Sequence, residues 1–427
     1  MKEELLIYVW KYKLFNSFEL YGTNNEKITI LSTGSRNNDS GPDFFNSKIK
    51  INNQIWAGNT EMHIRSSDWM RHQHHLDKAY NNVILHVVFT HDKEVYVNNR
   101  RLVVLELNAY IDKQVIDNYE KLERNKFSFL KCSGQYNLSR DFIFNNWIHS
   151  LYISRIERKN KHLLNHLVKS NNNWEYIFFL SLAYSFGMKL NSDAFFNLMA
   201  SVPFLFLKNN NKDVFSMEAM LFGQAGFLNF SPNEKTDDYY KKLYDEYMFL
   251  KSKYSLSSLS SKQFSFFRTR PVNFPTIRIS QLSVLLVKNN NIFADIMNAS
   301  SLKELKVLFD VEASEYWKNH FVFFKESKII RKTVSEAFVE RIIINCVIPF
   351  RVLYYRKLSN YEKIESAIEF AYSVMTENNS VTKEFEKINF ISGNALESQV
   401  QLELKEMYCI KGKCLSCFIG KQILDKA

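Results

Sequence analysis

The apolar pattern of this chain changes character near residue 110, and that change fixes its layout. Before it, short runs rich in β-branched and aromatic residues recur between Asn, Gly and charged positions. They are Ile28–Leu31, Phe44–Ile51, Ile55–Ile64, Val83–Phe89, Val95–Val97 and Leu102–Leu107, and each reads as a strand. The run Val83-Ile84-Leu85-His86-Val87-Val88-Phe89 is almost continuously apolar, as expected of a central strand covered on both faces. Residues 1–16 place Leu5, Val9 and Tyr12 on one helical stripe, with Leu6 and Trp10 alongside. The polar stretch Ser66–Tyr80 predicts a helix with Ser67 as its N-cap. Past residue 110 the segments lengthen and become helix-compatible: Ile111–Arg124, Phe142–Leu167, Tyr176–Met188, Ala194–Ala200, Asp237–Tyr254, Arg278–Lys288, Val334–Ile344 and Tyr361–Thr376. The expectation is an α/β domain over residues 1–110, a mixed sheet flanked by helices, followed by a mostly α-helical domain over residues 111–427.

Composition excludes several classes. With 46% hydrophobic and 24% charged residues the chain is an ordinary globular protein, not a disordered or fibrous one. Its most apolar stretches, Tyr176–Met188 and Ile342–Phe350, fall short of the ~20 residues a bilayer span needs, so no membrane partner is expected. Five cysteines, three of them crowded at the C-terminus, are too unevenly placed for a disulfide framework. A cytoplasmic protein is expected, and the oligomeric state stays open. The net charge of +11 fits a nucleic-acid partner, although A+T-rich coding would produce the same abundance of Lys and Asn.

Six of the ten histidines fall between His63 and His91, just after Gly41-Pro42-Asp43-Phe44 and Glu61-Met62-His63. In a strand, Glu61 and His63 project from one face. Whether Asp43 joins them depends on the connection between the two strands. A two-residue turn at Asn52-Asn53 sets Asp43 opposite Met62, on the wrong face. A three-residue loop, Asn52-Asn53-Gln54, pairs Ile51 with Ile55 and Asp43 with His63, and brings Asp43, Glu61 and His63 together. The three-residue loop is therefore the expectation. Two converging carboxylates suit a hard divalent cation such as Mg²⁺, with substrate phosphate and water completing its shell. Such a cation can activate water and stabilise a phosphodiester's leaving oxygen.

These residues, their separation and the helix–strands–helix–strand order resemble the PD-(D/E)XK nuclease superfamily. The resemblance implies Asp43 and Glu61 as ligands for Mg or Mn and hydrolysis of DNA or RNA. His63 stands where that superfamily usually has Lys, which leaves it as a base or a ligand rather than a fixed cation. A wider resemblance, to an uncharacterised bacterial family that is a domain of unknown function, rests on several stretches. They are Gly58-Asn59-x-Glu61-x-His63, Ser66-Ser67-Asp68-Trp69, His72-x-His74, Asp77-x-x-Tyr80-x-Asn82 and the strand that follows. Glu218-Ala219-x-Leu221-Phe222-Gly223-Gln224-Ala225-Gly226, Arg270-Pro271-x-Asn273-Phe274-Pro275 and Cys414-x-x-Cys417-x-Ile419-Gly420 extend it. It supplies no activity.

Three further groups carry chemistry. On a helix, His72 and His75 lie one turn apart while His74 and Asp77 share another edge. With His63 or Glu61 they could hold Zn²⁺ or Mn²⁺, or they form a solvated edge. His86, inside an apolar strand, reads as a hydrogen-bonded core histidine. Cys409, Cys414 and Cys417 suit zinc or an iron–sulfur cluster, with Cys132 or Cys346 as the fourth ligand. The alternative is three reduced thiols. Arg268, Arg270 and Arg278 precede or begin a helix that starts at Pro275-Thr276, where they either bind phosphate or tie helices together. The functional expectation is a metal-dependent nuclease. The competing classes are a non-catalytic binding scaffold on the same fold and a zinc-dependent hydrolase.

Overall fold

The computed structural model describes residues 2–125, 128–136, 138–209, 213–229 and 237–425. The chain forms two compact units. The first comprises Met1–Trp147, Ser380–Ile391 and Leu402–Ala427; the second comprises Ile148–Asn379 and Ser392–Gln401.

The first unit runs helix α1 (Glu3–Tyr12), then strands β1 (Leu20–Tyr21), β2 (Lys27–Ser32), β3 (Ser35–Arg36), β4 (Phe44–Ile51) and β5 (Gln54–Arg65). The short helix α2 (Asp68–Arg71) precedes β6 (Val83–Thr90), β7 (Tyr96–Val97), β8 (Arg100–Arg101), β9 (Val103–Glu106) and helix α3 (Lys113–Arg124). The main sheet has the order β1-β2-β4-β5-β6-β9, with β3 paired to β4. It is mixed: β1, β2, β4 and β5 pair antiparallel, whereas β5–β6 and β6–β9 are parallel. The amphipathic α1 buries Leu5, Leu6, Val9 and Trp10 in the same core as Phe44, Ile49, Met62, Leu85 and Val87. Val115 and Tyr119 of α3 enter that core, as does Leu424 near the C-terminus. The sheet unit therefore extends past residue 110, because its apolar face needs these later side chains to cover it.

Two local features depart from expectation. The β4–β5 connection is a two-residue turn, since Ile51 pairs with Gln54. Asn52 takes φ +53 there, and β2 holds it: its N–H donates to the Lys27 carbonyl (2.7 Å) and its side chain accepts from the Lys27 amide (2.9 Å). The predicted three-residue loop is thus corrected. A bulge restores what that loop was meant to supply. The register slips by one between Ser47↔Gly58 and Phe44↔Thr60, and Asn46 sits in the slip with φ +57. Asn is among the few non-glycine residues that tolerate this conformation.

The predicted helix over Ser66–Tyr80 is also corrected. Helix survives for one turn, Asp68–Arg71, followed by 3₁₀ turns at His74–Leu76 and Lys78–Tyr80. Gln73, at φ +60, breaks it. Ser67 does not cap; its hydroxyl donates to Asp92 Oδ2 at 2.7 Å instead, which ties the crossover to the end of β6.

The second unit is helical, with helices that include Trp174–Phe186, Met188–Ser201, Val214–Gln224, Asp238–Tyr254, Pro275–Lys288 and Tyr361–Ser373. Pro275 occupies the first turn of its helix, where its missing N–H costs nothing. Among the described residues no helix is long and apolar enough to cross a membrane.

Candidate metal centre

Alternation along β5 decides what faces the site. Met62 points into the apolar core, while Glu61 and His63 project from the opposite face. Parallel pairing sets Glu61 beside His86 and His63 beside Val88. His63 Nδ1 accordingly meets His86 Nε2 at 2.9 Å, and its Nε2 meets His72 Nδ1 at 3.1 Å. His63 is 1% exposed and His86 is fully buried, so this imidazole chain is shielded from water on its inner side.

The bulge brings Asp43 to the same place. Its backbone N–H donates to Glu61 Oε2 (3.0 Å), and the Met62 N–H donates to Asp43 Oδ2 (3.1 Å). Arg36 forms an ion pair with the other Asp43 oxygen. The turn before Asp43 is built by Asn37, whose side-chain amide donates to the carbonyls of Asp39, Ser40 and Pro42, with Gly41 at φ +102. On the far side of Glu61, His74 Nε2 lies 3.3 Å and His63 Nε2 3.6 Å from Oε1. His74 Nε2 is buried yet lacks hydrogen-bond alignment with any partner. Its ring stacks on Tyr80 at 3.8 Å, and Trp69 walls the pocket 5.4 Å from His74 and 5.3 Å from His86.

One ligand atom from each of His63, His72 and His74 lies within 4.8 Å of the others. Of the predicted histidine helix, therefore, only two members reach the site. His75 is exposed, and Asp77 spends its carboxylate on capping the second 3₁₀ turn through the Ala79 N–H at 2.8 Å. With the helix broken at Gln73, one-turn spacing no longer relates these four residues.

Burial disfavours the charged forms of Asp43, Glu61, Glu3, His63 and His86. Burial raises the Asp43 carboxyl, against the opposing pull of Arg36, and it raises Glu61, against His74. Glu3, at the start of α1, is pushed up to about 7 by burial and then by the charges of Asp43, Glu61 and Asp68. Burial lowers His63 to about 2, with His86, His74 and His72 adding to the shift, and lowers His86 to about 3. A bound cation would relieve the repulsion between the Asp43 and Glu61 carboxylates.

Sequence reading did not assign Glu3, Arg36, Asn37, Trp69 or Tyr80 to the site. Trp69 and Tyr80 lie within the stretches that carry the family resemblance, and Glu3 shows as an acidic residue in the first turn of the helix that covers the sheet.

The other sequence-predicted residues divide. Cys132, Cys409, Cys414 and Cys417 line one cavity, whereas Cys346 is fully buried in the helical unit, where the Ser181 hydroxyl donates to its sulfur at 3.4 Å. Arg278 is no phosphate ligand as it stands. It is 4% exposed, it donates to Asn273 Oδ1 (2.6 Å) and Gln281 Oε1 (2.8 Å), and it lies 3.4 Å over the Phe338 ring. Arg268 and Arg270 are exposed.

Fold and site together define an α/β protein with a mixed sheet, at whose β4–β5–β6 strands carboxylates and imidazoles converge. The chain belongs to the family described as Protein of unknown function (DUF2851), whose model matches residues 3–380. That match stops short of Cys409, Cys414 and Cys417. No curated protein and no solved structure matches the chain.

Proposed function

We propose that this site makes the protein a metal-dependent phosphodiesterase acting on nucleic acid, a nuclease of the PD-(D/E)XK type. The observation that carries the reading is the bulge at Asn46, which seats Asp43 directly against Glu61 at the edge of the imidazole group. The donor set fits a cation: Glu61 Oε1 and the unsatisfied, buried His74 Nε2 face each other beside His63 Nε2. Carboxylates alone suit Mg²⁺, but imidazole beside carboxylate shifts preference toward Mn²⁺ or Zn²⁺. Bound there, the cation would supply Lewis-acid stabilisation of the phosphoryl oxygens and a water of lowered pKa.

The chain's own residues do the rest. Asp43 and Glu61 would hold the cation from the carboxylate side and His63, His72 and His74 from the other. Burial favours the neutral form of His63, and its Nε2 faces Glu61 and the other imidazoles, which suits it to the role of ligand. Its Nδ1 contact to His86 fixes the ring and leaves Nε2 facing the site. Asp43 and Glu61 are tied by hydrogen bonds, while Glu3 makes none among the described residues, which leaves it to accept the water's proton. Arg71, whose side chain is 70% exposed on the histidine segment, and the chain's excess of basic residues would meet the phosphate backbone.

The test is cleavage of single- and double-stranded DNA and RNA, and of a small chromogenic phosphodiester, with Mg²⁺, Mn²⁺ or Zn²⁺. Cleavage by wild type that E61Q and D43N abolish, with nucleic-acid affinity retained, supports the reading. Binding without cleavage under any metal returns the protein to the class of non-catalytic scaffolds. A second reading, a zinc-dependent hydrolase, is favoured by the tight grouping of three imidazole nitrogens. Activity with Zn²⁺ alone, lost in H72A and H74A but kept in D43N, would select it.

A further inference from the structure

The C-terminal cysteines form a second site, apart from the carboxylate–imidazole pocket. Cys132 lies in the turn after α3, Cys409 ends a π-helical turn, Cys414 begins a 3₁₀ turn, and Cys417 precedes the final helix, Phe418–Leu424. Three separate stretches of chain thus deliver four thiols, none of them in a disulfide, to one cavity that Leu122, Phe129 and Tyr408 line with apolar surface. The local backbone is shaped to allow it. Gly412 turns the chain at φ +65, and a Cβ on Gly420 would lie 2.0 Å from the Cys414 carbonyl oxygen, so only glycine lets the final helix close over the loop. The amides of Ile419 and Gly420 donate to the Cys417 sulfur, and Lys131 supplies positive charge beside Cys414.

Four thiols around one cavity are a complete ligand set for a thiophilic metal centre. We propose that Cys132, Cys409, Cys414 and Cys417 ligate a thiophilic metal centre, a zinc ion or an iron–sulfur cluster, that fastens the C-terminal segment to the sheet unit. That segment already docks there through Leu424 in the core and through Asn118 Nδ2, which donates to the Ile423 carbonyl at 3.0 Å.

The full chain, purified without oxygen and reconstituted with ferrous iron and sulfide, is analysed for iron, acid-labile sulfide and zinc and by visible absorption. A cluster of the four-iron type gives about four iron and four sulfide per chain, with a broad band that dithionite bleaches. C132S should lose most of the bound metal while C346S, altered in the other unit, retains it. Should C132S fail to fold, the wild-type metal and sulfide content still decides. One zinc per chain without sulfide makes the centre a zinc site, and iron with matching sulfide makes it a cluster. Protein that takes up neither metal, and whose melting temperature is unmoved by reconstitution, overturns the site.

Discussion

The backbone N–H of Asp43 donates to Glu61 Oε2 at 3.0 Å, although a two-residue turn joins their strands and would by itself set Asp43 against Met62. The two are brought together by one extra residue in β4.

Removing Asn46 should take out the bulge and still leave the two carboxylates together. With it deleted, Phe45 faces Asn59, and Phe44 and Asp43 keep their places opposite Thr60 and Glu61. Metal binding measured by calorimetry should persist while circular dichroism keeps its sheet signal, and loss of binding would mean that the bent strand itself shapes the site. Asn46→Gly should retain binding, and Asn46→Val should cost about 1–2 kcal/mol in denaturant melts, because a β-branched residue resists φ +57.

His63→Lys would place an ammonium in a pocket that already disfavours charge on imidazole. It should abolish Mn²⁺ or Zn²⁺ binding instead of restoring the superfamily's usual activity. His86→Phe, which removes the group that orients His63, should weaken metal binding by about 10–100-fold. Titration calorimetry of both variants checks this; undiminished affinity in His63→Lys would remove His63 from the ligand set.

Glu3→Gln should separate proton transfer from metal binding. If Glu3 accepts the water's proton, kcat should fall by about 10²–10⁴-fold, with metal affinity and KM near those of wild type. A matching loss of metal affinity would instead make Glu3 a ligand.

Glu218 predicts a pH effect in the helical unit. It is 1% exposed, it accepts from the Ser314 hydroxyl (2.9 Å) and the Tyr239 hydroxyl, and burial raises its carboxyl above the ordinary 4.5. The unfolded chain releases this proton near 4.5 while the folded one keeps it to higher pH. The stability it contributes is complete below 4.5 and is lost as pH rises through the folded value. Glu218→Gln mimics the protonated form, so its melting temperature should decline less than wild type between acid and neutral pH. Parallel slopes in thermal melts would contradict this.

The sequence alone determined the elements and the identity of several chemical groups. Strand composition located β2, β4, β5 and β6 to within a residue or two, and the uninterrupted apolar run of β6 required a covered central strand. The Asp43, Glu61 and His63 positions, and the C-terminal cysteine trio, stood out because such residues rarely crowd together without a reason. Register was not legible, because Asn46 and Asn52 both tolerate positive φ and local preference cannot say which of them adds a residue or turns the chain. The histidine segment misled for a related reason. Its polar pattern fits a helix, but Asp92 takes the Ser67 hydroxyl and Asp77 caps a later turn, contacts made across the fold. The choice of Cys132 over Cys346, and the arrival of Glu3 beside the two carboxylates, likewise belong to tertiary structure. Periodicity reports which face of an element is buried; only packing decides which residues, distant in sequence, meet there.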